Sequence, residues 1–164
     1  MKKMICSLGL AFFCLAIHAQ ADIPPYKKVP FFPPVKLLLS DSISWYHKDD
    51  LPKKTPVMML YFNPECDHCQ KQIEEILKNI DKFKDIHIVM AASQHFDKMK
   101  AFIERYKLTD HKNIVMGFDP DFFLMHFYQV HNFPFLAFYN KWKELISVSD
   151  GGLMVDKILK EFEQ

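Results

Sequence analysis

Tyr61-Phe62-Asn63-Pro64-Glu65-Cys66-Asp67-His68-Cys69-Gln70-Lys71-Gln72 is the stretch on which the reading of this chain turns. The apolar run Val57–Phe62 enters it like a buried strand, and Ile73, Ile76, Leu77 and Ile80 leave it at helical spacing. Cys66 and Cys69, three residues apart at that junction, fall on one face of the first helical turn, close enough to bridge. Cys66 sits where unpaired N–H groups and the helix dipole favour a thiolate. A strand, a Cys-x-x-Cys and an amphipathic helix in succession describe a reactive dithiol rather than a chance pair of cysteines.

The chain has 164 residues, enough for one domain with a substantial core and too few for two of ordinary size. Its start reads differently from the rest. Lys2 and Lys3 precede the apolar stretch Met4–Ile17, which closes on His18-Ala19-Gln20-Ala21. A basic start, a short apolar middle and a small-residue exit describe a secretory signal over residues 1–21, with cleavage after Ala19 or Ala21. Cys14 follows Ala11-Phe12-Phe13, too bulky a context for a lipoprotein site. Export places the protein in the periplasm or cell envelope, in contact with a membrane only through that segment if it stays uncleaved.

Cleavage removes Cys6 and Cys14 and leaves Cys66 and Cys69 as the only cysteines of the mature chain. An exported protein so equipped has no material for a separate structural disulfide, which favours redox activity at the pair. Loss of Lys2 and Lys3 takes the formal charge from +1 to −1. A nearly neutral domain without a basic block carries no nucleic-acid signature.

Five prolines within residues 22–34 predict an extended lead-in rather than an element. Val35–Leu39 and Ile43–Tyr46 predict a hairpin, and Ile86–Ala91 a second buried strand. Met99, Phe102, Ile103 and Tyr106 predict a helix near residues 96–107. Ile114–Met116 is a short strand, and Asp119-Pro120 supplies an N-cap and a first helical position for a helix running to about Tyr128. Phe133–Tyr139 and Glu144–Val148 form a terminal hairpin, Gly151-Gly152 breaks the chain, and Val155, Ile158, Leu159 and Phe162 mark a last helix.

That order, with Cys-x-x-Cys at the head of the first core helix and a proline opening the penultimate strand, resembles the thioredoxin fold. More narrowly it resembles the TlpA/ResA-like branch of exported thioredoxin-family proteins. The likeness covers residues 35–164 and is carried by Phe62–Cys69, by Val130-His131-Asn132-Phe133-Pro134 and by Gly151-Gly152. It implies a three-layer α/β/α domain with a mixed central sheet and an N-terminal β-hairpin. It also implies that Cys66 is the attacking thiol, Cys69 the resolving thiol and Pro134 a cis-proline facing them. Three departures stand out: Pro64-Glu65 where relatives place tryptophan, Leu60 where thioredoxin has a buried aspartate, and Phe133 before the proline where threonine or valine is common.

Around the pair, His68 can hold positive charge near the Cys66 sulfur and favour its ionised form, as in the Cys-Pro-His-Cys of DsbA-type oxidants. Asp67 and Glu65 oppose it by like-charge repulsion. Glu65 is also a candidate proton relay for Cys69, and Phe133 a candidate substrate contact. The expected activity is thiol–disulfide exchange with cysteine-containing proteins and a redox partner, without a cofactor or a resident metal. The alternative is copper binding or delivery through Cys66, Cys69 and His131. A single Cys-x-x-Cys with one distant histidine falls short of a closed structural zinc site.

Overall fold

A computed structural model describes residues 23–163; the expected secretory signal lies outside the described residues. The organising strand is Val57–Phe62, all six residues of which are buried. A strand buried on both faces reads as a continuous apolar run, because alternate side chains serve two different cores. Met58, Leu60 and Phe62 point into one core with the Cys-x-x-Cys helix, while Val57, Met59 and Tyr61 point into the other. The result is three layers, helix on sheet on helix.

In chain order the described residues form α1 (Pro25–Lys28), β1 (Lys36–Leu38), β2 (Trp45–His47), β3 (Val57–Phe62), α2 (Asp67–Lys78), β4 (His87–Ala92), α3 (Phe96–Arg105), β5 (Ile114–Phe118), α4 (Phe123–Tyr128), β6 (Phe135–Tyr139), β7 (Leu145–Asp150) and α5 (Val155–Glu161). The seven strands make one mixed sheet in the order β2-β1-β5-β4-β3-β6-β7. β4 pairs in parallel with β3 and β5, and the other neighbouring pairs are antiparallel. Apolar residues of α2, α3 and α5 cover one face; α4 and Phe32 cover the other, where Leu37 and Tyr46 of the edge strands β1 and β2 join the core. Gly117 of β5 lets β1 lie close beside it, since a Cβ at that position would lie 2.7 Å from Leu37 Cβ.

Three elements differ from the sequence reading. The proline-rich lead-in contains the one-turn helix α1, opened by a proline whose fixed φ suits the first helical position. It is also packed rather than free: Phe31 bridges to Glu144, and buried Phe32 meets the Tyr139 ring edge-on at 5.1 Å. α2 stops at Lys78, short of Ile80, because Asn79 turns its side-chain amide back to donate to the Glu75 carbonyl at 3.0 Å. α4 begins at Phe123 rather than Pro120. Phe122 adopts a left-handed conformation (φ 51°), and the Asp119 carboxylate reaches past it to accept from the N–H groups of Phe123 and Leu124.

At the end of the sheet away from the cysteines, His87 opens β4 with Nε2 3.0 Å from the Tyr46 hydroxyl. Burial, helped by the Lys143 charge, pulls this imidazole down to about 4. Between the ordinary histidine value near 6.5 and about 4, the unfolded chain therefore takes up a proton that the folded one refuses. Stability is held above that window and lost as pH falls through it. In urea unfolding at pH 7 and pH 4.5, His87→Gln should lose less stability on acidification than the wild type. Equal losses would remove His87 from the acid response.

Candidate active site

β3 delivers its chain end to a tight turn. Asn63 Oδ1 accepts the Glu65 N–H at 2.9 Å, the Cys66 N–H donates to the Asn63 carbonyl at 3.1 Å, and Gln70 Nε2 reaches back to the Pro64 carbonyl at 2.8 Å. The short polar side chain of Asn63 stands in for a backbone turn. Cys66 thereby becomes the N-cap residue of α2, extended at φ −85° and ψ 118°, with its carbonyl accepting from Gln70 N–H. Its thiol makes no capping hydrogen bond and is half-buried. Cys69, one turn in, is fully buried against the first core.

The two thiols are therefore unequal. Burial pushes the Cys69 thiol far above the ordinary range, and its contact with Cys66 raises it further, while the Asn63 backbone opposes the shift. A thiol held protonated in an apolar setting is inert until something removes its proton. Glu65, a half-exposed carboxylate, pairs with Lys98 of α3 at 3.0 Å. Asp67 and His68 lie on the first turn of α2, His68 exposed to solvent.

The proline loop arrives from β6. Tyr61 pairs with Phe135 at the end of the antiparallel β3–β6 ladder, and Cys66 and Phe133 both pack against the first core. The Phe133–Pro134 peptide is cis. Pro134 has no N–H, and the strand ladder ends at the residue after it. Phe133 is partly exposed and its ring packs on Tyr61 at 5.7 Å between centroids. His68 and Phe133 share an open groove of about 810 Å³ with Gln72, Asp150, Gly152 and Met154.

His131 is not drawn toward the cysteines. Its Nδ1 lies 3.6 Å from the Asp150 carboxylate and its ring is exposed. Among the described residues no cluster of three or more His, Cys, Asp or Glu side chains is arranged to hold a metal ion. On the far face, buried Asp119 caps α4 and faces the Tyr61 hydroxyl, which lacks a hydrogen bond of regular geometry. Burial raises this carboxyl, and the two amide donors work against the shift.

Two residues of this region escape a reading by periodicity. Gln72, 6% exposed, accepts the Leu153 N–H at 2.7 Å and ties α2 to the segment before α5. Gly152 must be small for that contact, since a Cβ there would sit 2.9 Å from Gln72 Oε1. A polar residue beside the apolar stripe of α2 is the one signal the sequence offers for it. Asp150 offers none, because its partners lie in a loop that only the β6–β7 register brings alongside.

Comparison with known proteins follows the same architecture. No protein-family model matches the sequence, and no curated protein matches it. Solved structures do. The chain is similar to a secreted Mycobacterium tuberculosis disulfide oxidoreductase homologous to E. coli DsbE, with a TM-score of 0.64 at 15% identity over 78% of this chain and 93% of that one. It is similar to M. tuberculosis DsbF, with a TM-score of 0.65 at 18% identity over 78% and 92%. StoA from Bacillus subtilis aligns with a TM-score of 0.60 at 16% identity over 79% and 97%. The fold is thioredoxin-like, an α/β domain with a mixed sheet.

The unequal burial has a direct readout. Brief treatment of the reduced, folded protein with iodoacetamide at neutral pH should label Cys66 and spare Cys69, with both labelled after unfolding. Equal labelling in the folded state would contradict the placement of Cys69 in the core.

Proposed function

We propose that this chain is an exported thiol–disulfide oxidoreductase that exchanges disulfides with protein cysteines through Cys66-Asp67-His68-Cys69. The observation that carries the reading is the pairing of a half-buried thiol at a helix N-cap with a fully buried thiol one turn inside. In the reducing direction the Cys66 thiolate attacks one sulfur of a substrate disulfide. An S–S bond forms between Cys66 and the substrate, and the other substrate sulfur leaves as a thiolate that takes up a proton. Cys69, once deprotonated, attacks the Cys66 sulfur and displaces the second substrate thiolate. The substrate gains two electrons and two protons, and the protein is left with a Cys66–Cys69 disulfide. Oxidation of a substrate dithiol is the same path reversed.

Pro134 and Phe133 are proposed to face the incoming disulfide, a reading supported by the groove that Phe133 shares with His68. His68 is proposed to stabilise charge at Cys66, against Asp67 and Glu65. Export rests on the basic and apolar start of the sequence, Lys2 to Ala21. It is supported by the neighbours described as a secreted oxidoreductase and as an exposed pneumococcal lipoprotein thioredoxin. The expected domain limits, a signal over 1–21, a lead-in over 22–34 and a catalytic domain over 35–164, belong to the same proposal. The copper reading has no comparable support, since His131 pairs with Asp150 instead of joining the cysteines.

Variants of the two cysteines test the division of labour. Cys69→Ser should accumulate mixed disulfides with protein substrates, because the thiol that resolves them is gone, and Cys66→Ser should trap almost none. Separation on non-reducing gels gives the answer. The reverse pattern would exchange the two roles, and no adduct with either variant would count against exchange altogether.

A further inference from the structure

We propose that Asp150 is a positioning residue for this reaction: its carboxylate fixes the 131–132 segment and so holds the Phe133–Pro134 step beside the Cys66 turn. That role presupposes that Cys66 and Cys69 are a redox pair. Asp150 is the last residue of β7 and lies directly opposite Phe135 in the ladder. Beyond that pair the ladder stops. Pro134 offers no N–H, and Gly151, at φ +135°, turns the other chain away at once. The 131–132 segment is therefore left without a strand partner, although it leads directly into the site.

The Asp150 side chain takes the place of that partner. Oδ1 accepts the Asn132 N–H at 2.8 Å and, more weakly, the His131 N–H at 3.4 Å. Oδ2 accepts from Asn132 Nδ2 at 3.3 Å and lies 3.6 Å from His131 Nδ1. An ionised acceptor spanning two consecutive peptide donors is stronger and more directional than a neutral one. The chain leaving Gly151 is in turn held to α2 by the Gln72–Leu153 hydrogen bond. One run of contacts thus links the Cys-x-x-Cys helix, the end of β7 and the proline loop around the groove shared by His68 and Phe133. A substrate disulfide carried on a polypeptide must meet both the loop and Cys66; a small disulfide needs Cys66 alone.

The test compares two disulfides in turnover driven by dithiothreitol, each rate corrected for direct reduction without the protein: a short peptide with an internal disulfide, and the small aliphatic disulfide bis(2-hydroxyethyl) disulfide. Asp150→Ala should raise KM for the peptide about tenfold or more while leaving its kcat within about twofold, since misplacement of a binding loop acts on capture. The rate with the small disulfide should not change. Asp150→Asn, which keeps an acceptor for Asn132 N–H, should recover most of the loss. Asn132→Ala, which removes one contact and leaves β7 intact, should raise KM in the same sense by a smaller factor, and it decides the matter if Asp150→Ala fails to fold. An unchanged peptide KM in either alanine variant, equal losses on both disulfides, or no recovery in Asp150→Asn would overturn the inference. Wild-type protein inert toward both disulfides would instead defeat the redox reading, and this inference with it.

Discussion

The antiparallel pairing of β3 with β6 is the constraint on which the rest of the molecule depends. Tyr61 opposite Phe135 fixes where both chains leave the sheet, and they leave it side by side. One exit turns through Asn63 into the head of α2; the other is the Val130–Pro134 loop. A slip of one residue would exchange the two faces of β3, sending Met58, Leu60 and Phe62 away from α2. Burial on both faces makes such a slip costly, so the core that stabilises the strand also sets the register that builds the site.

The second organising feature is the contrast in solvation across one helical turn. Cys66 stands at the N-cap, where the helix dipole favours negative charge and solvent has access. Cys69 lies among Ile73, Phe62 and their neighbours, where charge is disfavoured. An attacking thiol needs the first setting, and a thiol that should react only with its neighbour is protected by the second. Leu60 adds to the apolar surroundings instead of offering a carboxylate, and Glu65 is engaged by Lys98.

Most of the architecture is legible in the sequence because its signals are local. The uninterrupted apolar run of β3, the helical spacing after Cys69 and the spacing of Met99, Phe102 and Ile103 each depend on residues within one element. The fold departs from those signals where a side chain acts across a break. Asp119 caps α4 from beyond a left-handed Phe122, and Asn79 ends α2 by bonding back to Glu75. Prolines point to an extended lead-in, yet a proline also opens a helix, and Phe32 finds a core whose existence no local pattern announces. At the candidate site the cysteines and the proline loop stand out in the sequence. Gln72 and Asp150 do not, because their hydrogen-bond partners are 81 and 18 residues away.

In the proposed reaction Cys66 and Cys69 act as one two-electron unit. This is tested by equilibrating a protein that lacks residues 1–21 across a range of glutathione redox buffers, then quenching with acid and counting free thiols by mass. The expected result is a single transition between a species with two free thiols and one with none, steep as a two-electron couple requires, with about 30 mV per tenfold change in equilibrium constant. Independent titration of the two cysteines, or a dominant species carrying one glutathione on Cys66 and a free Cys69, would contradict it.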